Sequence, residues 1–158
     1  MGIFIVSACL LGENCKYSGG NNRNQAVIDF LSDKEFVPVC PEVLGGLETP
    51  RAPSEYANDG SDRIINTDGV DVTTNFELGA KRSLEIAREK AREGAGEFVG
   101  KIEGAILKGK SPSCGSNKIY DGTFSGKLME GDGCFVRLLK KEGIKVVSEK
   151  EIEKYGKF

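Results

Sequence analysis

The sequence of 158 residues contains no histidine. This absence excludes Ser-His and Cys-His catalytic pairs, so any metal must be bound by thiolate or oxygen ligands. Nor does either sign of charge dominate, because 22 lysines and arginines stand against 24 aspartates and glutamates, a formal net charge of −2. Binding to nucleic acid through phosphate contacts needs a basic surface, so we expect no nucleic-acid partner.

Long hydrophobic runs are missing as well. No apolar stretch reaches the roughly 20 residues that a helix needs to cross a bilayer, so we expect no membrane partner. The N-terminal apolar run is short and has no basic residue ahead of it, unlike a secretory signal. These features favour a cytoplasmic protein, and the length predicts a single domain spanning residues 1–158.

Five cysteines are present, an odd number. In the cytosol, clustered cysteines bind metal or carry out chemistry more often than they form structural disulfides. Three of them follow apolar runs that predict buried strands of a parallel sheet. The runs are 3–8, 36–39 and 104–107, and the cysteines are Cys9, Cys40 and Cys114. Because ligands of open α/β sheets bind beyond the carboxyl ends of the strands, the three thiols are expected to meet at one site.

Helical patterns alternate with these strands and predict an α/β fold: one three-layer domain with a mostly parallel, Rossmann-like sheet and a small β-hairpin. Asn24 or a neighbouring residue is the expected cap of the first helix. A capping box at 74–77 opens a long amphipathic helix that Gly94 is placed to close. Asp68-Gly69 predicts the hairpin turn.

The C-terminal third predicts two short helices on either side of a fourth strand at 144–147. Asp132 is the expected cap of the first, and a capping box at 148–151 opens the second. Two stretches without periodicity, 44–63 and 120–133, are interpreted as ordered loops near the site.

Several chemistries suit three thiols without histidine, including soft metals and iron–sulfur clusters. Structural zinc normally takes four ligands, so Cys15 would have to join. A cubane cluster on three cysteines leaves one iron open as a Lewis acid. The carboxylate of Glu42 can act as a base beside it, and the hydroxyl of Ser111 can donate a hydrogen bond.

Three blocks of the sequence together resemble the DUF523 family, whose characterised activity is the desulfuration of 2-thiouracil. The blocks are 7–12, 40–47 with 49–51, and Lys108 with 111–115. The resemblance covers about residues 3–147. Their order and separation make the resemblance more specific than one short motif would be.

The resemblance implies a [4Fe-4S] cluster on Cys9, Cys40 and Cys114, with Glu42 and Ser111 as catalytic residues. The open iron would take the sulfur of a thiolated pyrimidine, Glu42 would activate the water that replaces it, and Ser111 would orient the ring or the water. Uracil and sulfide would be the products from 2-thiouracil. The expected substrate-binding residues in the same blocks are Arg51, Gly46 and Lys108.

Two departures from the family pattern leave the substrate open. Lys16-Tyr17-Ser18-Gly19 stands where the family usually has Arg-Tyr-Asp-Gly, and Glu48 stands where a proline is common. The sequence also leaves two alternative functions open. One is a non-catalytic, cysteine-based metal or redox-sensing module, and the other is a small-molecule-binding α/β domain whose cysteines are incidental.

Overall fold

Strands and helices alternate along the chain in the computed structural model, which describes residues 2–94, 96 and 99–158. In chain order the elements are β1 (Ile3–Ser7), a 3-10 helix (Ala8–Leu11), α1 (Gln25–Leu31), β2 (Phe36–Val39), α2 (Pro41–Leu44), β3 (Ser54–Tyr56), β4 (Ile64–Asn66), α3 (Thr73–Arg92), β5 (Ile102–Leu107), β6 (Lys118–Tyr120), β7 (Leu128–Glu130), α4 (Cys134–Lys141), β8 (Val146–Ser148) and α5 (Glu149–Tyr155).

The central sheet has four parallel strands in the order β2-β1-β5-β8. Ile5 in β1 lies opposite Val37 on one side and Ala105 on the other. The chain adds β2 on one side of β1 and then β5 and β8 on the other, so the winding direction reverses between β1 and β5. Such a reversal opens a crevice at the carboxyl ends of the strands, where doubly wound folds bind their ligands.

Helices cover both faces of this sheet. On one face α3 and α4 enclose a core that includes Ile5, Leu84, Ala87, Ala105, Leu107, Phe135 and Leu139. On the other face α1 and α5 enclose Phe4, Val6, Val27, Leu31, Ile106 and Ile152. Burial on both faces explains why the strands are continuous apolar runs. The predicted three-layer α/β architecture is confirmed.

Two antiparallel hairpins lie outside the sheet, where the sequence predicted only one. Asp68-Gly69 makes the expected turn, but the strand before it, β4, pairs mainly with β3 from the stretch predicted to be a loop. The second hairpin joins β6 to β7 within the glycine-dense segment. All four strands have three residues, which is too short to display an alternating pattern.

The N-caps of α1 and α5 agree with the sequence, and those of α3 and α4 differ. Asn24 caps α1, because its side chain accepts a hydrogen bond from Val27 N. The capping box at 74–77 is wrong: α3 begins at Thr73, and the carboxylate of Asp71 accepts from its backbone N. Gly133, not Asp132, is the cap of α4. The Asp132 carboxylate instead binds Lys140 and the backbone N of Asn117.

Helix α2 is seated directly against α3 through two glycines. A Cβ atom at Gly79 would overlap the carbonyl oxygen of Pro41, and one at Gly45 would overlap the carbonyl oxygen of Asn75. The Asn75 side chain also donates a 2.9 Å hydrogen bond to the carbonyl of Gly45. This close approach fixes α2, and with it the chain segment that carries Cys40 and Glu42.

In the part of the chain that the structure describes, no helix combines the length and the apolar character needed to cross a membrane.

Candidate active site

A cavity of about 220 Å³ opens at the carboxyl ends of β1, β2 and β5. Its wall is built from the segments that follow these strands. Lining residues include Cys9 from the 3-10 helix, Cys40 from the start of α2 and Cys114 from the loop after β5. The structure thus brings the three cysteines to one cavity, at the edge of the sheet where the strand pattern placed them.

A fourth cysteine, Cys15, also lines the cavity, whereas Cys134 lies outside the lining and packs between two apolar clusters. All five cysteines are free thiols. Cys15 donates a hydrogen bond to Cys40, which lowers the pKa of Cys40 and raises that of Cys15. Of these two thiols, Cys40 is therefore the one that ionises first.

The Cys9 sulfur receives a hydrogen bond from a side chain that the sequence did not single out. Asn22 Nδ2 lies 3.4 Å from Cys9 Sγ, and the backbone N of Asn22 donates to the Cys9 carbonyl at 3.0 Å. Burial raises the pKa of Cys9, and the bond from Asn22 opposes that shift. An amide donor aimed at sulfur favours the thiolate form, which is the form that binds metal.

Cys114 is the most deeply buried of the cavity thiols, at 5% exposure. Burial raises its pKa to about 12, although a hydrogen bond from Ser7 acts in the opposite direction. Its backbone N donates to Ser111 Oγ at 2.8 Å, which fixes the turn that presents the thiol. A metal bound here would have to displace the thiol proton.

The carboxylate of Glu42 is held from both sides. Arg51 Nε donates to Oε1 at 3.1 Å, and Ser113 Oγ donates to Oε2 at 2.9 Å. Each carboxylate oxygen has a further lone pair. Because Glu42 lines the cavity, the carboxylate is an oriented acceptor next to the thiols.

Arg51 joins three segments of the wall with one guanidinium. Besides Glu42, it donates to the carbonyl of Cys15 at 2.9 Å, to the carbonyl of Glu48 at 3.2 Å and to Thr49 Oγ1 at 3.0 Å. Its contacts are thus to the protein itself. A direct contact of Arg51 with substrate stays a prediction.

Ser111 and Lys108 also line the cavity, whereas Gly46 is absent from its lining. Ser111 Oγ accepts from the Cys114 backbone and lies 3.4 Å from Ser113 Oγ. Gly46 has a φ of 90° just after α2, a conformation that glycine adopts readily. This backbone turn accounts for a glycine at position 46, and a contact between Gly46 and substrate stays a prediction.

Lys108 is paired with Glu149, a residue that the sequence assigned only to a helix cap. Its Nζ lies 3.2 Å from Glu149 Oε1, and Glu149 Oε2 accepts from Gly109 N at 2.8 Å. Ser148 is the N-cap of α5 as predicted, but it makes no side-chain cap bond. Glu149 turns toward the cavity wall instead and fixes the position of Lys108.

The donor set favours one kind of metal site over another. Among the residues that the structure describes, no three cysteine, aspartate or glutamate side chains are placed to share one metal ion. Zinc needs its ligands to converge on a single point. Thiolates that surround a cavity are the ligand type of an iron–sulfur cluster, which binds through several irons. Three cysteines around a cavity of this kind therefore fit a cluster.

Comparison with known proteins identifies the family. The 2-thiouracil desulfurase family matches residues 4–151. The chain belongs to this family. The predicted DUF523 resemblance is confirmed, over a range close to that expected from the three sequence blocks.

Two related proteins match this chain over nearly their whole lengths. The uncharacterised protein YbbK of Bacillus subtilis (strain 168) is 38% identical over 157 residues, which cover 95% of this chain and 97% of YbbK. The solved structure of the [4Fe-4S]-dependent thiouracil desulfidase TudS is similar with a TM-score of 0.82 and 35% identity. That match covers 99% of this chain and 96% of TudS.

Proposed function

We propose that this protein is a [4Fe-4S]-dependent desulfidase that removes sulfur from thiolated pyrimidines such as 2-thiouracil, releasing uracil and sulfide. The observation that carries the proposal is the meeting of Cys9, Cys40 and Cys114 with the carboxylate of Glu42 at one cavity. Membership of the desulfurase family and the similarity to TudS support it.

Cys9, Cys40 and Cys114 would hold the cluster, because they are the thiols at the ends of three strands in this cavity. When bound, a cluster on three cysteines supplies an iron with an open position, a Lewis acid suited to accept a thiocarbonyl sulfur. Cys15 is not part of the proposed set, because it lies in the loop between the 3-10 helix and α1 and follows no strand of the sheet.

The reaction exchanges one sulfur for one oxygen. Water supplies the oxygen and two protons, the C–S bond breaks, and the sulfur leaves as sulfide without any change of oxidation state. Glu42 would accept a proton from that water, and the support for this role is that Arg51 and Ser113 orient its carboxylate while lone pairs remain free.

The remaining groups orient the substrate. Ser111 Oγ already accepts from the Cys114 backbone, so its own proton can be donated to a pyrimidine oxygen or to the water. Lys108 brings positive charge to the cavity wall, where its pairing with Glu149 holds it in place. Arg51 acts mainly through Glu42, and through the wall segments that it joins.

Anaerobic reconstitution with iron and sulfide tests the proposal. The wild-type protein should gain bound iron, acid-labile sulfide and a broad visible absorbance, and should then convert 2-thiouracil to uracil and sulfide. Cys114→Ser should lose the cluster, whereas the matched variant Cys15→Ser should keep it. Glu42→Gln should retain the cluster but lose turnover.

Three results would overturn the proposal. Full turnover in loaded Glu42→Gln would remove the assigned base. A loaded wild-type protein that releases sulfide from no thiolated pyrimidine would favour the non-catalytic metal or redox-sensing module. Failure to bind iron at all would favour a domain with incidental cysteines.

We further propose that residues 1–158 form one domain, because β1 and β8, from the two ends of the chain, lie in the same sheet. Cytoplasmic location is part of this proposal, since clustered free cysteines are typical of proteins in reducing compartments. The proposed partner is a small thiolated pyrimidine, with neither nucleic acid nor membrane required.

A further inference from the structure

Ser113 is a buried hydroxyl between the two residues to which the sequence assigned catalysis. It is 3% exposed. Its Oγ lies 2.9 Å from Glu42 Oε2 and 3.4 Å from Ser111 Oγ. It is thus the residue that connects the carboxylate to the loop between β5 and β6.

A serine hydroxyl has one proton to donate, and the distances decide where it goes. The alternative acceptors, Ser111 Oγ and Cys114 Sγ, are 3.4 Å and 3.7 Å away, whereas Glu42 Oε2 at 2.9 Å is at an ordinary hydrogen-bond distance. A charged acceptor also makes the stronger bond. The proton of Ser113 is therefore directed to Glu42.

Hydrogen bonds to α4 hold the backbone around Ser113 in place, and this fixes the position from which its hydroxyl extends. The Ser113 carbonyl accepts from Phe135 N at 3.0 Å, and the Pro112 carbonyl accepts from Cys134 N at 2.7 Å. Both donors belong to the first turn of α4. Arg51 holds only the other oxygen of Glu42, so the two residues fix the carboxylate plane from opposite sides.

We propose that Ser113 is the positioning residue of Glu42, fixing the carboxylate so that its free lone pairs face the water that attacks the substrate. This inference rests on the proposed desulfidase function and deepens it. Without the hydroxyl, Glu42 keeps its bond to Arg51 and can rotate about it. Misplacement of a reacting group by about 1 Å can cost about 100-fold in rate.

Ser113→Ala tests the proposal in anaerobically reconstituted protein, with 2-thiouracil as the probe. Iron and sulfide contents should equal those of wild type, KM should change less than about 2-fold, and kcat should fall about 10- to 100-fold. Ser113→Thr keeps the hydroxyl and should restore most of kcat. Ser116→Ala is the matched control, because Ser116 lies in the same loop but outside the cavity lining.

A crystal structure of Ser113→Ala supplies a readout independent of turnover. Rotation of the Glu42 carboxylate, with the Arg51 contact kept, is the expected result. An unmoved carboxylate, or an unchanged kcat, would overturn the assignment. If loaded wild-type protein fails to turn over any thiolated pyrimidine, the proposed function fails, and the structure of the variant still decides whether Ser113 positions Glu42.

Discussion

Arg51 and Glu42 form an ion pair with 3.1 Å between Nε and Oε1, and their side chains are only 8% and 16% exposed. Arg51→Ala would leave this carboxylate nearly buried without its cation. We expect the free energy of unfolding to fall by about 3–5 kcal/mol, as for other broken buried pairs. Urea denaturation of the cluster-free protein measures it.

Arg51→Lys separates charge from geometry. Lysine keeps the positive charge but cannot bridge Glu42 and the carbonyls of Cys15 and Glu48 with one planar group. It should therefore recover only part of the loss. Arg92→Ala, at the exposed end of α3, is the control and should stay within about 0.5 kcal/mol of wild type. Equal stabilities for Arg51→Ala and Arg92→Ala would show that the ion pair between Arg51 and Glu42 does not stabilise the fold.

Gly79→Ala should disturb the site from a distance. The added Cβ would overlap the Pro41 carbonyl and push α2 away from α3. Overpacking costs about 1–3 kcal/mol, and since α2 begins next to Cys40, we also expect less iron per chain after reconstitution. Gly94→Ala is the control, because a Cβ there meets only an ordinary contact with Ala91. Full iron loading in Gly79→Ala would show that α2 tolerates the shift.

Glu149→Ala should destabilise the protein by about 2 kcal/mol, because a bond from a backbone N–H and a charge partner are lost together. The Gly109 N–H would have no acceptor, and Lys108 would be unpaired. Glu149→Gln keeps an oxygen for Gly109 and should cost about half as much. Urea midpoints measure both, with the exposed Glu89→Ala as the comparison. If the alanine and glutamine variants are equally stable, the bond to Gly109 contributes nothing.

Tyr56 is expected to lower the stability of the folded protein at alkaline pH. It is 4% exposed, and burial raises the pKa of its hydroxyl above the ordinary value of about 10. Below pH ~10 the hydroxyl is neutral in both the folded and the unfolded chain, so it adds no pH dependence. Above that pH only the unfolded chain ionises, and the free energy of unfolding falls by up to about 1.4 kcal/mol per pH unit.

Comparison of wild type with Tyr56→Phe between pH 8 and pH ~11 isolates this effect from the titration of lysines and thiols. The wild-type curve should fall more steeply than that of the variant above pH ~10. Tyr155→Phe, at an exposed tyrosine, should follow wild type. Parallel curves for wild type and Tyr56→Phe would rule out the proposed ionisation.

The sheet was predictable because its strands are buried on both faces and therefore appear as unbroken apolar runs. The cysteines at their ends follow from the same pattern, since parallel strands end at one edge. Strands β3, β4, β6 and β7 were missed or misplaced because a strand of three residues is too short to show an alternating pattern. The cap of α4 was displaced by one residue, from Gly133 to Asp132, because both positions precede the same apolar stripe.

The side chains that support the site could not be predicted from the sequence. Spacing cannot tell which of Ser111 and Ser113 turns toward Glu42, because that bond spans 71 positions of the chain. Glu149 satisfied a helix-start pattern locally, and only its contact with Lys108 shows its place in the wall. Asn22 lies in a loop rich in glycine and asparagine, and the sequence does not indicate which of its amides donates to Cys9.

The pairing of Glu149 with Lys108 has a consequence for the timing of biosynthesis. A nascent chain that has released Cys9, Cys40 and Cys114 from the ribosome still lacks β8 and α5. Until β8 and α5 emerge, the β5 edge is open and Lys108 has no carboxylate to hold it. The wall around Lys108 is therefore complete only once β8 and the start of α5 have folded against β5.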